Sequence, residues 1–361
     1  MLTAQPSNIT AKKLISRLLT GLLFSSLLLT ACQQKPTFTE SKDSVLAFGT
    51  FIEVTLININ PDDRALVIQK IEQELEYYHF AFHPWKPGPT GRTNQLLAVT
   101  GEFTCNPSLI PLIEKSKWYS IQSKGLFNPA IGRLVKLWGY HDEIPPDEGP
   151  VPDDADIQAL LKKNPSMESI TLKGVRLHNN NPANKLDFGG IAKGYAVDLI
   201  LEHIQQMGVQ NANINTGGDL KVIGQRGDKP WRIGIRDPRG NGVIASLDAH
   251  HNEAVFTSGD YERFYEHEGQ RYHHILDPRT GYPAKNAQSV TVIHNDAALA
   301  DAAATALFVA GPKEWLAIAR SMNIQQAMLI DRNGKIHITE DLAKRVKFEK
   351  PNLDINIVNI H

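Results

Sequence analysis

Residues 186–198 read Leu-Asp-Phe-Gly-Gly-Ile-Ala-Lys-Gly-Tyr-Ala-Val-Asp, and the stretch changes character in its middle. A strand-like segment runs into paired glycines. From Ala192 onward the apolar residues take up helical spacing, with Tyr195, Ala196, Leu199, Ile200, Ile204 and Met207 on or near one face. Gly208 stands where a C′ glycine would end that helix. Working outward toward the C-terminus, Trp231, Ile233 and Ile235 alternate with polar neighbours as in a half-exposed strand, and Ser289–His294 is a further strand. An alanine-rich helix is expected over Ala297–Val309, stopped by Gly311-Pro312. Met328-Leu329-Ile330 and Ile336-His337-Ile338 flank Asn333-Gly334, a strong hairpin signal. Toward the N-terminus, Val45–Phe48 and Phe51–Ile57 form a strand pair split by Gly49-Thr50. Helices are expected over Arg64–His79 and Leu109–Ser120, with a Pro/Gly loop from His83 to Pro89 between them. The pattern is α+β with mainly antiparallel sheets.

The first thirty residues have a different composition. Lys12, Lys13 and Arg17 precede an apolar run from Leu18 to Ala31, too short for a mature membrane span of ~20 residues. It suits a secretory leader, and Leu29-Thr30-Ala31-Cys32 resembles a lipobox in which Cys32 is diacylated. Two acyl chains suffice for stable anchoring. The expected layout is a lipoprotein signal peptide at 1–31, a polar tether at 32–44, a catalytic domain at 45–345 and a tail at 346–361. The whole chain balances 38 Lys+Arg against 39 Asp+Glu. Loss of the three leader cations would take the net charge to about −4, which offers no general attraction to nucleic acid. Beyond Cys32 only Cys105 remains, so neither an internal disulfide nor a cysteine zinc site is available.

Several segments concentrate polar groups in Gly-rich turns. Asp187–Gly194 could present backbone N–H groups and Lys193 to a phosphate at a helix N-terminus, and it reads equally as a tight strand-to-helix turn. Asn215-Thr216-Gly217-Gly218-Asp219 has the same two readings. His273 to Pro283 (HHILDPRTGYP) packs His, Asp, Arg and Thr into a Gly/Pro turn, which favours a cleft. Asp301 and Thr305, four apart on the alanine-rich helix, share a face and offer hard oxygen ligands suited to Mg²⁺. A solvated Asp and a Thr bonded to its own helix would look alike in sequence.

Taken together, LDFGGIAKGYAVD, NTGGDLKVIG, TSGDYERFY, HILDPRTGYP and SVTVI…ALADAAATALFV resemble, in order and spacing, the FAD:protein FMN transferase (ApbE) family. FGTFIEVTL, FNPAIGRLVKLWGY and the surroundings of Trp85 and Asn94 look similar too. The resemblance covers nearly all of the chain after Cys32. It implies a T-fold-related α+β core with a smaller appended lobe. It also implies an enzyme that cleaves FAD with Mg²⁺, attaches FMN to a Thr or Ser of a target protein, and releases AMP. By the same resemblance Asp301, Thr305 and the Gly190 carbonyl would hold the metal, and His274 would act in transfer. Asp187, Lys193, Phe48, Trp85, Asn128, Pro129, Ala130 and the Ile275 backbone would bind the flavin nucleotide. Phe48 stands where many relatives have Met, and Trp85 where many have Tyr. The implied targets are subunits of membrane redox complexes of the NADH:quinone oxidoreductase or Rnf type. The implied location is the periplasmic face of the bacterial cell membrane, with the inner membrane favoured. Two other readings use the same residues: a flavin carrier without chemistry, and an FAD pyrophosphatase in which water replaces the protein hydroxyl.

Overall fold

The β-branched and alternating runs pair into one nine-stranded sheet whose spatial order follows the chain. Its strands are Glu40–Ala47 (β1), Thr50–Ile57 (β2), Ala212–Thr216 (β3), Leu220–Ile223 (β4), Ala254–Gly259 (β5), Ala287–His294 (β6), Gln326–Asp331 (β7), Ile336–Thr339 (β8) and Ile355–Val358 (β9). Every pairing is antiparallel except that of β8 with β9. The structure, a computed structural model, describes residues 38–99, 101–141 and 151–360. Cys32, its leader and the first part of the expected tether, to residue 37, lie outside the described residues, as does the acidic Pro-rich stretch at 142–150.

Strand β6 is buried at every position but His294, because both sheet faces are covered there. Helix Pro61–Phe82 (α1) packs on helix Ala192–Gln206 (α2), which packs on helix Ala297–Ser321 (α3), and α3 lies across β5 and β6. Alanines on most sides of α3 explain how it can be enclosed nearly all round. Gly311-Pro312 does not end the helical run, as expected from sequence, but kinks it. Gly311 takes a left-handed φ of 63°, and the helix resumes with Pro312 at its new start, where a missing N–H costs nothing. A second, smaller apolar cluster gathers Leu134, Trp138, Tyr140, Ile157, Tyr265 and Leu276.

Two boundaries fall elsewhere than expected. β1 starts at Glu40, inside the segment read as tether, held by full register against β2 and by Arg226 to Glu40 at 2.9 Å. The segment read as a tail contributes β9 and Lys347–Phe348, which joins Trp231–Arg236 and Val243–Ala249 in a three-stranded sheet. Both are edge elements whose polar alternation hides pairing from composition.

Gly194, in the first turn of α2, touches the start of α3. A Cβ there would lie 2.6 Å from the Ala297 carbonyl carbon and 2.9 Å from Ala298 N. One turn further on, Asp198 of α2 accepts hydrogen bonds from Ala297 N at 3.1 Å and Ala298 N at 3.0 Å, capping α3 from outside. Helix propensity alone favours Gly→Ala by ~1 kcal/mol, whereas overpacking against backbone costs ~1–3 kcal/mol. Gly194→Ala is therefore expected to lower the melting temperature by several degrees; a rise on calorimetry would contradict the close approach.

Candidate functional site

The cavity at the meeting of α2, α3 and the sheet has a volume of about 560 Å³, within the range of small-molecule sites. Six chain segments build most of it. The β1–β2 turn contributes Phe48, whose left-handed φ of 52° is fixed by its N–H donating to His79 Nδ1 at 3.1 Å. The loop after α1 contributes Trp85, its indole under the Lys185 ammonium at 4.5 Å from the ring centroid. Asn128 and Pro129 come next, tied to the glycine turn because Asp187 N donates to the Pro129 carbonyl at 2.8 Å. The turn before α2 gives Asp187 and Gly190, the first turn of α2 gives Lys193, and α3 gives Asp301 and Thr305. His274 and Ile275 close the far wall.

The charges are concentrated near α2. Lys193 forms an ion pair with Asp219, whose other oxygen accepts from Thr257 N at 2.7 Å. Asp301, 6% exposed, accepts from Gly194 N at 3.1 Å. Burial raises the Asp301 carboxyl to about 7, with Lys193 opposing and Asp219 and Glu262 adding to the rise. Glu262 is likewise pushed up to about 7 by burial and by Asp219. Burial works against the charge on Lys193, yet Asp219, Glu262 and Asp301 hold it protonated well above its ordinary range. Three carboxyl groups thus share one ammonium. Asp187 is raised by burial although Gly189 N donates to it at 2.9 Å.

The two adjacent histidines are in different situations. His273 is buried, its ring bonded to the Ala284 carbonyl at 2.7 Å and to Ile275 N at 3.2 Å, so both nitrogens are used inside the fold. His274 lines the cavity, with Nδ1 3.2 Å from the Arg263 carbonyl. A carbonyl only accepts, so Nδ1 carries the proton and Nε2 keeps its lone pair. Burial, then the Arg263 guanidinium, push this imidazole down to about 3.

Phe48, Trp85, Asn128, Pro129, Asp187, Gly190, Lys193, His274, Ile275, Asp301 and Thr305 therefore meet in one cavity. Ala130 does not reach it. It is fully buried, its N–H bonded to Asn128 Oδ1 at 3.1 Å and its carbonyl to Lys185 N at 3.1 Å, so it braces the neighbouring wall residues instead. Within HHILDPRTGYP, Asp277 and Arg279 pair with each other, at 2.8 Å, and only His274, Ile275, Leu276 and Pro278 face the cavity. Asp260 pairs with Arg239 in the same structural way. Glu262, Arg263, Arg236 and Tyr140 also line the cavity and went unmarked in sequence, although Glu262 and Arg263 directly follow the Ser-Gly-Asp-Tyr turn.

Residues 48–329 match the ApbE family. The chain belongs to the ApbE family. It is 35% identical over 305 residues to the FAD:protein FMN transferase of Rhodobacter capsulatus, covering 84% of this chain and 58% of that longer protein. A Klebsiella pneumoniae FAD:protein FMN transferase is 37% identical over 253 residues, 68% of this chain and 75% of the relative. The crystal structure of the ApbE protein of Thermotoga maritima superposes with a TM-score of 0.75 at 31% identity, covering 87% of this chain and all of that one. The α+β, mainly antiparallel architecture of this ApbE-family chain is thus the architecture of its relatives.

Because Lys193 is the cation among three carboxyls, Lys193→Met should cost about 3 kcal/mol of folding stability, the scale for breaking a buried ion pair from one side. A loss below about 1 kcal/mol in urea unfolding would show the carboxyls to be neutralised some other way.

Proposed function

We propose that this ApbE-family chain is an FAD:protein FMN transferase: it cleaves FAD at the pyrophosphate, joins FMN to a Thr or Ser hydroxyl of a target protein, and releases AMP. The observation that carries the reading is the meeting, in one cavity, of a neutral histidine, a glycine turn with Lys193, and the Asp301–Thr305 pair. A carrier would need the turn but neither the base nor the oxygen ligands.

The residues fit a divalent cation of the Mg²⁺ type. Among the described residues no cluster of three or more His, Cys, Asp or Glu side chains is arranged to hold a metal. A cation here would instead use Asp301, Thr305 and the carbonyl of Gly190, whose backbone sits so close that a Cβ would lie 2.9 Å from Thr305 Oγ1. Mg²⁺ favours few protein oxygens plus phosphate oxygens, and the buried Asp301 and Asp219 carboxyls beside the one Lys193 ammonium suit a positive ion. When bound, it would offset charge on the pyrophosphate.

Lys193 would hold the phosphates at the start of α2, since the N–H groups of Gly189, Ile191, Ala192 and Gly194 are already given to Asp187, Phe188 and Asp301. Phe48 and Trp85 supply aromatic wall for the ring systems. His274 Nε2 takes the proton from the target hydroxyl as its oxygen bonds to the FMN phosphorus. The P–O bond to the AMP moiety breaks, and the electron pair leaves with AMP. Outside the cavity, the reading includes diacylation at Cys32 and attachment to the cell membrane, inner membrane favoured, with the domain in the periplasm. The targets would be subunits of membrane redox complexes of the NADH:quinone oxidoreductase or Rnf type. The lipobox-like leader supports the location, and family resemblance alone supports the targets.

The direct test is mass spectrometry of an acceptor protein after incubation with the enzyme, FAD and Mg²⁺. Covalent FMN on a Thr or Ser with free AMP is expected; free FMN plus AMP with an unmodified acceptor would point to hydrolysis. His274→Ala should lose ~10²–10⁴-fold in rate, the usual scale for a general base, while FAD affinity stays within a few-fold. Loss of FAD binding in step with rate would assign His274 to binding. Mg²⁺ at saturating concentration should raise the melting temperature of the wild type, as a ligand at 100 times its Kd adds ~2.7 kcal/mol. Asp301→Ala should abolish that rise, and an equal Mg²⁺ response in both proteins would place the metal elsewhere.

A further inference from the structure

We infer that Arg263 sets both the orientation and the charge state of His274: its carbonyl fixes which ring nitrogen carries the proton, and its guanidinium keeps a second proton off. The inference rests on the reading of His274 as the base and adds a positioning residue to that reaction.

A short hairpin makes the arrangement. Strands Phe264–His267 and Gln270–His273 pair in register, with Phe264 opposite His273. Their tip is Glu268-Gly269, both at left-handed φ, as a two-residue I′ connection requires. Continuing the ladder one step beyond the strands puts Arg263 opposite His274, and His274 N donates to the Arg263 carbonyl at 3.0 Å. The same oxygen lies 3.2 Å from His274 Nδ1. One carbonyl thereby holds both main chain and ring, and the tautomer follows from its being an acceptor only.

The guanidinium is anchored on the same wall. Arg263 Nη2 donates to the Tyr140 carbonyl at 3.2 Å, and its centre sits 6.0 Å from the Tyr140 ring. That ring meets the His274 imidazole edge-on at 6.2 Å and is held by its own hydroxyl, which donates to the Tyr272 carbonyl at 2.6 Å. Among the described residues, the charged and titratable groups acting on the imidazole are Arg263 on the hairpin, its neighbour His273, and Lys193 on α2, and all three disfavour the protonated ring, while the bond to the Arg263 carbonyl favours it. Asp187 faces Arg263, and Tyr140 stays a neutral phenol because burial lifts it far above its ordinary range. Removing the Arg263 charge removes the largest of the cationic influences on the ring, while the backbone carbonyl remains in any substitution.

The sign of the effect is fixed. A base whose pKa is held below ~6.5 stays competent as pH falls, and releasing it toward ~6.5 makes it lose competence at mildly acid pH. The test is the pH profile of FMN incorporation for wild type, Arg263→Lys and Arg263→Gln, each rate taken relative to its own value at pH 8. At pH 5.5 the wild type and the charge-keeping Lys variant are expected to retain most of that rate. The acid limb of the Gln variant should lie at higher pH than those of wild type and the Lys variant, still short of the ordinary histidine range because burial of the ring remains. Equal profiles for Gln and wild type, or equal losses for Lys and Gln, would overturn the electrostatic role. Should the Gln variant fail to fold, ¹³C-histidine NMR of the wild type decides. The His274 ring, assigned by its absence in His274→Gln, must titrate below 6.5 with its proton on Nδ1; titration at or above 6.5 overturns the inference. A wild type that incorporates no FMN at any pH would sink the transferase reading, and the His274 titration compared by NMR between wild type, Arg263→Lys and Arg263→Gln would still test Arg263.

Discussion

The contact between the first turn of α2 and the start of α3 is the constraint on which the rest depends. A glycine at 194 lets the two backbones touch, and that touch allows Gly194 N to donate to Asp301. Asp198 reinforces it from one turn away by capping Ala297 and Ala298, and Lys221 in turn pairs with Asp198 at 2.7 Å. The backbone of the glycine turn, the Lys193 ammonium and the Asp301 carboxyl are thereby fixed relative to one another by main-chain contacts, which move less than side chains. The alanines of α3 follow from the same requirement, since larger residues would hold the helices apart.

The sheet serves this contact by bringing distant segments to one rim. Strands β1 and β2 turn at Phe48, β5 runs to Ser258 and Gly259, and α3 lies across β5 and β6. Electrostatic strain collects where these converge: Asp301, Glu262 and Asp219 crowd Lys193, while on the opposite wall His274 is kept neutral. Surplus acid beside a neutral imidazole is the charge distribution that the proposed complex of a polyphosphate with a cation would use. An apolar core has no such need.

Much of this was legible in the sequence, for reasons that can be named. The helix over 192–206, the strand pair before Asn58 and the Asn333-Gly334 hairpin carry strong periods or strong turn chemistry, and periodicity is the signal that survives without an alignment. The five ordered motifs that carry the family resemblance marked most of the cavity wall. What was hidden depends on tertiary contact. The continuation of α3 beyond Gly311 needed a glycine that kinks without stopping, and β9 is an edge strand with polar alternation. The family resemblance implies Ala130 in the site together with Asn128 and Pro129, but Ala130 is fully buried in the core. Arg263 escaped notice because its influence on His274 runs through a carbonyl and a hairpin register, neither of which leaves a side-chain pattern. In HHILDPRTGYP the density of charge was misleading, for Asp277 and Arg279 satisfy each other.

The central claim, that one cavity at the α2–α3 contact holds FAD and a divalent cation together, is tested most directly by a crystal structure of the full domain grown with FAD and Mg²⁺. The account predicts the metal between Asp301, Thr305 and the Gly190 carbonyl, the pyrophosphate over the 189–194 turn, and His274 Nε2 facing the phosphorus. Nucleotide bound in another cleft, or bound here with the metal away from Asp301, would contradict it.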